Sequence, residues 1–297
     1  MYPLFEKYGM KIDREELDSR LAEIALGLKS TASVEIFKTC FSLMDLTTLH
    51  TSDTDVSVSA LVDKVNALPV RFPDCPLPAS ICVFPNLAHV VRDRRKCSDV
   101  RVTAVSSCFP SAQSFLEVKV RECEMAVADG AEEVDIVLAL NAFLAGEYDR
   151  AYSEIKAMRD AVDAEGEKCS RKVVLKVILE TGLLQSPESI AEASLLAMEA
   201  GADFIKTSTG KVDVNATPMA ALVMCRCIAR FFEATGRKVG FKAAGGISSA
   251  RDALHYHSIV ASELGSEWLN SASMRFGVSR LANSLLSEIT RESIMFF

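Results

Sequence analysis

The stretch 173–207, VVLKVILETGLLQSPESIAEASLLAMEAGADFIKT, reads as one strand–helix–strand unit and decides the fold. Val173–Leu179 is a short apolar run, as a strand buried on both faces should be, broken only by Lys176. Ser186-Pro187 then opens a helix. The serine serves as N-cap, and the proline takes the first helical position, where its missing N–H costs nothing. A second apolar run, Asp203–Thr207, carries Lys206. Two such runs about 30 residues apart, joined by a helix, are the unit from which parallel sheets are built.

The same alternation extends in both directions. Further short runs lie at Leu43–Leu46, Ser80–Phe84, Val100–Val105, Glu133–Leu138, Val239–Lys242 and Glu267–Ser271. Thr217-Pro218 repeats the helix start, and a helix over Ser111–Asp129 is stopped by Asp129-Gly130. Eight strand–helix units predict a closed parallel barrel, the (β/α)8 or TIM barrel of the α/β class. An open doubly wound sheet is the alternative, weakened by the lack of a GxGxxG turn after the first run. Helical patterns at Arg14–Leu28 and Ala32–Leu43 precede the first strand. With no Gly/Ser-rich or Pro-rich linker, the expectation is one domain over residues 1–297, of which 1–41 is a helical extension. These extra helices are expected to cap the bottom of the barrel or to form an oligomer contact. Barrels of this type often form homodimers, for which they offer a surface.

The chain is 49% hydrophobic and 25% charged, enough for a large core under a soluble surface. Its net charge of -7 argues against a nucleic-acid partner, which needs a basic face to displace counterions. No stretch is long and apolar enough to span a bilayer, and the charged first residues hold no apolar signal core. The nine scattered cysteines form no CxxC pair. Free thiols in a reducing cytoplasm are expected. Four dispersed histidines and no Cys/His cluster argue against a zinc site, and no metal is expected.

The chemistry should lie at the C-terminal ends of the barrel strands. There the sequence places Asp45, Cys82, Asp135, Lys176, Lys206 and Lys242, all within apolar runs. A lysine is almost never fully buried unless paired, and one ion pair could be structural. Three lysines converging on one mouth invite another reading. Crowded, desolvated amines lose protons and become nucleophiles that form imines with carbonyls. A second constellation is glycine-rich. Gly210-Lys211 follows the sixth run, Gly245-Gly246 the seventh, and RFGVSR (275–280) follows the eighth and opens the last helix. Loops after the seventh and eighth strands are the usual phosphate site of such barrels.

At these residues the chain resembles the deoxyribose-phosphate aldolase family. The matching stretches are LMDLTTL (43–49), EVDIV (133–137), LKVILETG (175–182), ADFIKTSTGK (202–211), VNATP (214–218), GFKAAGG (240–246) and RFG (275–277), in family order from residue 43 onward. The resemblance implies a class I aldolase of deoxyribonucleotide catabolism that uses neither a metal nor a cofactor. Its reaction would be reversible cleavage of 2-deoxy-D-ribose 5-phosphate to acetaldehyde and D-glyceraldehyde 3-phosphate. By motif, Lys206 would be the Schiff-base lysine, Lys242 the partner that lowers its pKa, and Asp135 the acid/base. Asp45, Lys176 and Cys82 would surround the same centre, although each has a plainer reading: a loop cap, an ion pair with Asp135, and packing. Gly210, Lys211, Gly245, Gly246, Ser248, Gly277, Ser279 and Arg280 would bind phosphate. Two alternatives stand beside this reading: a Schiff-base aldolase with another aldehyde acceptor, and a catalytically silent phosphosugar-binding barrel.

Several positions depart from the family pattern. Ser248 stands where the family commonly has Arg, and Arg280 where it more often has Ser. The expectation is a swap, with Arg280 supplying the phosphate-facing charge that Ser248 lacks. Ala243 replaces a common Pro, and the closing IMFF (294–297) offers no tail tyrosine.

Overall fold

The computed structural model describes residues 3–297. Three helices come first: α1 (Pro3–Lys7), α2 (Arg14–Thr31) and α3 (Val34–Ser42). Strands and helices then alternate: β1 (Met44–Thr47), α4 (Asp55–Arg71), β2 (Ser80–Val83), α5 (Ala88–Arg94), β3 (Arg101–Val105), α6 (Leu116–Ala128) and β4 (Glu133–Val137). After α7 (Leu140–Leu144) and α8 (Tyr148–Lys168) come β5 (Val174–Ile178), α9 (Pro187–Glu199), β6 (Phe204–Lys206) and α10 (Pro218–Thr235). The chain closes with β7 (Gly240–Ala244), α11 (Ala250–Leu264), β8 (Met274–Val278) and α12 (Leu281–Thr290). The strands pair in parallel in chain order, and β8 returns to β1, so the sheet is a closed barrel. The open-sheet alternative is thereby excluded.

Helix starts follow from local side chains. Asp13 caps α2, Ser186 caps α9 and Thr217 caps α10, each accepting from N–H groups of the first turn. Thr54 with Ser57, and Ser249 with Asp252, form reciprocal capping boxes on α4 and α11. The helix expected over Ser111–Asp129 begins only at Leu116. Ala112 adopts a left-handed φ, which no continuous helix allows. Of the N-terminal helices, α2 lies on α10 and α11, and α3 on α11 and α12.

Strand eight is a correction. The expected run Glu267–Ser271 is not a strand, and β8 lies at Met274–Val278. Trp268 sits in a short 3₁₀ turn, buried, with its indole N–H donating to the Val239 carbonyl at 2.9 Å. That anchored aromatic looks like strand core in sequence. Arg275, Phe276, Gly277 and Val278 belong to the strand itself rather than to the loop after it.

Alternation along each strand sorts the core into two kinds. Residues facing the helices, such as Leu46, Ile81, Val102, Val134, Val177, Ile205, Phe241 and Phe276, join one continuous apolar core. The other face of the strands is unusual. Small apolar clusters at Cys82 with Leu49 and Val105, and at Val137 with Ile178, sit among charged side chains. Gly240, the register partner of Phe204, leaves the space that the Phe204 ring fills. A Cβ there would lie 2.3 Å from the ring.

Candidate active site

Seven charged side chains meet inside the barrel: Asp45 on β1, Glu133 and Asp135 on β4, Lys176 on β5, Lys206 on β6, Lys242 on β7 and Arg275 on β8. Strand register brings them together. Asp135 pairs with Lys176, Lys206 with Lys242, and Lys242 with Arg275. Lys176 lies 2.6 Å from Glu133, 3.0 Å from Asp135 and 3.5 Å from Asp45. Lys242 donates to Asp135 Oδ2 at 2.7 Å and to Asp45. Lys206 donates to the same Asp135 Oδ2 at 2.8 Å. Arg275 holds Glu133 through two nitrogens at 2.7 and 3.0 Å and reaches Asp45 at 2.5 Å. Neutral donors complete the set: Ser80 to Asp45 at 2.7 Å and Thr103 to Glu133 at 3.0 Å.

The residues expected at the strand ends thus form a column descending into the barrel. Asp45 is a buried partner of Lys242 and Arg275, not a loop cap. Lys176 touches three carboxylates rather than Asp135 alone. Only Lys206, the last residue of β6, also lines an open pocket. Glu133 and Arg275 were missed as members. The signal for Glu133 was its spacing of two from Asp135, which puts both on one strand face. Arg275 keeps the same spacing from Gly277. Gly277 leaves room for Lys242: a Cβ there would lie 3.0 Å from Lys242 Cε and 2.9 Å from Ala244 Cβ.

Electrostatics distinguish the lysines. Burial pushes the Lys206 amine below the ordinary lysine value; Asp135 opposes this and Lys242 adds to the fall. Lys242 feels the same burial penalty, but Asp135 and Asp45 outweigh it and raise its pKa. Lys176 is likewise raised, since Asp135, Glu133 and Asp45 overcome its burial. Burial would raise Asp135, yet Lys176, Lys206 and Lys242 hold it well below the usual carboxylate range. Four cations therefore face three carboxylates, and the cluster is neutral when Lys206 has shed its proton. A neutral amine at the pocket floor is a nucleophile for carbonyls. Burial pushes the Cys82 thiol up to about 11, and the side chain clusters with Leu49 and Val105.

Above Lys206 opens a cavity of about 240 Å³. It brings together Gly210 and Lys211 from the loop after β6, Gly245 and Gly246 from the loop after β7, and Gly277, Ser279 and Arg280 from β8 onward. Thr47, Leu49, His50 and Thr209 also line it and were not expected. Gly210, Gly245 and Gly246 all have left-handed φ, near 80°. At Gly245 a Cβ would also strike Asn215, at 2.6 Å. Arg280 immediately precedes α12, whose first turn receives no side-chain cap. Ser248 is the exception: it is exposed and off the pocket wall, its N–H donating to Asp252 Oδ2 at 3.2 Å in the cap of α11.

A family model described as DeoC/LacD family aldolase matches residues 39–285. The chain belongs to the DeoC/LacD family of aldolases. It is similar to the deoxyribose-phosphate aldolase of Bos taurus, 40% identical over 260 residues that cover 84% of this chain and 78% of that one. The Homo sapiens deoxyribose-phosphate aldolase is 39% identical over 262 residues, with the same coverage. Among solved structures, the tetrameric deoxyribose phosphate aldolase of Aeropyrum pernix shares the fold, with a TM-score of 0.67 at 22% identity over 94% of this chain and 99% of that chain. As a DeoC/LacD family aldolase the chain is a lyase, and the matched region contains the charged cluster and every residue of the pocket wall. Among the described residues no helix is long and apolar enough to cross a membrane.

Proposed function

We propose that this barrel is a class I aldolase that cleaves 2-deoxy-D-ribose 5-phosphate reversibly to acetaldehyde and D-glyceraldehyde 3-phosphate. One observation carries the reading: Lys206 is the member of a buried four-cation cluster that both opens onto the pocket and has its pKa lowered.

The neutral Lys206 amine adds to the substrate aldehyde carbon, and loss of water leaves an iminium. A base takes the proton of the C3 hydroxyl, the C2–C3 bond breaks, and its electron pair runs into the iminium to give an enamine. The C3–C5 fragment leaves as the phosphorylated aldehyde. Protonation of the enamine at C2 and addition of water then release acetaldehyde and the free amine. In this reading Asp135 relays these protons, supported by its hydrogen bonds with both Lys206 and Lys242. Lys242 stays protonated and keeps the Lys206 pKa down, while Lys176, Asp45 and Arg275 fix the orientation of Asp135 and Lys242. The three loop glycines, Lys211, Ser279, Arg280 and the uncapped start of α12 suit a phosphate, because backbone N–H groups and the helix dipole favour an anion there. Ser248 takes no part in this phosphate site, and Arg280 supplies its charge.

The decisive experiment is borohydride reduction in the presence of acetaldehyde, followed by peptide mapping. An adduct on Lys206 is expected. Its absence would remove both the class I mechanism and the choice of nucleophile, and would favour a silent binding barrel. Comparing cleavage of phosphorylated and free deoxyribose then tests the anion end, and a strong preference for another aldehyde acceptor would redirect the substrate assignment. We further propose a single domain over 1–297 with residues 1–41 as its helical extension, a homodimer, and a role in deoxyribonucleotide catabolism in the cytoplasm. Nine unpaired cysteines suit that reducing compartment.

A further inference from the structure

At the end of β5 the chain turns through Glu180 in a left-handed conformation, φ 57 and ψ 56. Glutamate has neither the freedom of glycine nor the local hydrogen bonding of asparagine there, so its surroundings must hold the turn. The side chain does not escape to water: Glu180 is 4% exposed. Both carboxyl oxygens turn to one residue. Oε1 accepts from the Thr209 backbone N–H at 3.1 Å, and Oε2 from the Thr209 hydroxyl at 2.5 Å. Thr209 Oγ1 in turn accepts from the Lys211 backbone N–H at 3.1 Å, and Lys211 Nζ crosses the mouth to the Leu49 carbonyl at 2.7 Å. Thr209, Gly210 and Lys211 all line the pocket that holds Lys206.

We propose that Glu180 is a positioning residue that fixes both the shape of the 209–211 loop and the hydrogen-bond polarity of Thr209. A hydroxyl has one proton and two lone pairs. Here the proton is directed at Glu180 and one lone pair receives the Lys211 N–H. One lone pair remains for the pocket, so Thr209 meets a substrate only as an acceptor. The group that docks on it must bring a proton, as a sugar hydroxyl does and a carbonyl does not. The strained turn is thus the cost of aiming a buried carboxyl group at the adjacent loop.

This inference rests on the phosphosugar-cleaving reading, and its test is separable from that reading. Glu180→Gly tolerates the left-handed turn without strain, so it should fold while losing the anchor. Cleavage of deoxyribose 5-phosphate should lose about tenfold to a hundredfold in kcat/KM, the range of a hydrogen bond to a charged group. Most of that loss should appear in KM. Trapping of acetaldehyde on Lys206, which does not involve Thr209, should fall far less. Glu180→Gln, which keeps an acceptor of similar shape, should recover part of the loss. Thr209→Val should reproduce it, and the double variant E180G/T209V should add little to either change, because both break one interaction. Wild-type kcat/KM in E180G, or losses that sum in the double variant, would overturn the proposal. Failure of the wild-type enzyme to form any adduct would instead overturn the aldolase reading beneath it.

Discussion

Lys206 and Lys242 are register partners on adjacent strands, and both donate to the same oxygen of Asp135, at 2.8 and 2.7 Å. Two ammonium groups cannot share one carboxylate oxygen without repelling each other. The asymmetry that resolves the conflict is Asp45, which supports Lys242. Lys206 has no second carboxylate in the cluster and is the one whose pKa falls.

Replacing Lys242 with Met should therefore raise the pKa of Lys206, because the neighbouring charge that lowers it is gone while Asp135 remains. The acidic limb of the pH profile for borohydride trapping should move to higher pH, and trapping at neutral pH should slow. An acidic limb unmoved in K242M would mean that burial alone sets the Lys206 amine.

Asp135→Asn should be costly twice over. It removes the proposed proton relay, worth about 10²–10⁴ in kcat. It also leaves Lys176 and Lys242 with buried, under-compensated charge, for which about 3–5 kcal/mol of stability is the expected loss. Steady-state kinetics and urea unfolding measure the two effects separately.

The cluster also fixes how stability responds to pH. Asp45, Glu133 and Asp135 have folded-state pKa values below their unfolded ones, so they stabilise the fold above the ordinary carboxylate range. That contribution is lost as pH falls through the folded values. Lys206 acts in the same direction at higher pH: its lowered pKa makes the fold gain stability as pH rises from the folded value toward 10.5. Urea midpoints should therefore fall steeply on acidification below the carboxylate range. A flat acid limb would contradict the ion-paired cluster.

Arg280→Ala should raise KM for the phosphorylated sugar by about tenfold or more, the scale of a charge-assisted hydrogen bond. Cleavage of unphosphorylated deoxyribose should be little affected. Ser248→Ala should change neither substrate's KM, since Ser248 lies outside the pocket wall.

Gly277→Ala should destabilise the barrel by about 1–3 kcal/mol through overpacking. It should also reduce kcat, because the new methyl would press on Lys242 Cε and Ala244 Cβ. Thermal unfolding and single-turnover cleavage would report the two consequences.

Much of this arrangement is legible in the sequence, for definable reasons. Seven strands fall where short apolar runs predict them, because a strand buried on both faces has no polar positions to blur it. Lys206, Lys242 and Asp135 stand out as charges inside such runs. Strand eight was misread because Trp268 imitates core. Arg275 reads in sequence as part of the loop after the eighth run, because its carboxylate partners, Glu133 and Asp45, arrive from the distant β4 and β1. Ser248 lies off the pocket wall because its N–H is drawn into the cap of α11 by Asp252, a local contact that spacing from Gly245-Gly246 does not reveal. Glu180 lies within the matched stretch 175–182, but its left-handed turn has no residue-type mark because the residue is not glycine.

The odd number of charges inside the barrel has a consequence for the covalent stage. An iminium at Lys206 restores the positive charge that the free amine had given up, so the interior again holds one cation too many. The enamine formed by C2–C3 cleavage is neutral and relieves that surplus. The parity that lowers the pKa of the resting amine therefore also tilts the bound intermediate toward bond breaking. A barrel interior with four carboxylates would hold the iminium comfortably and turn it over slowly.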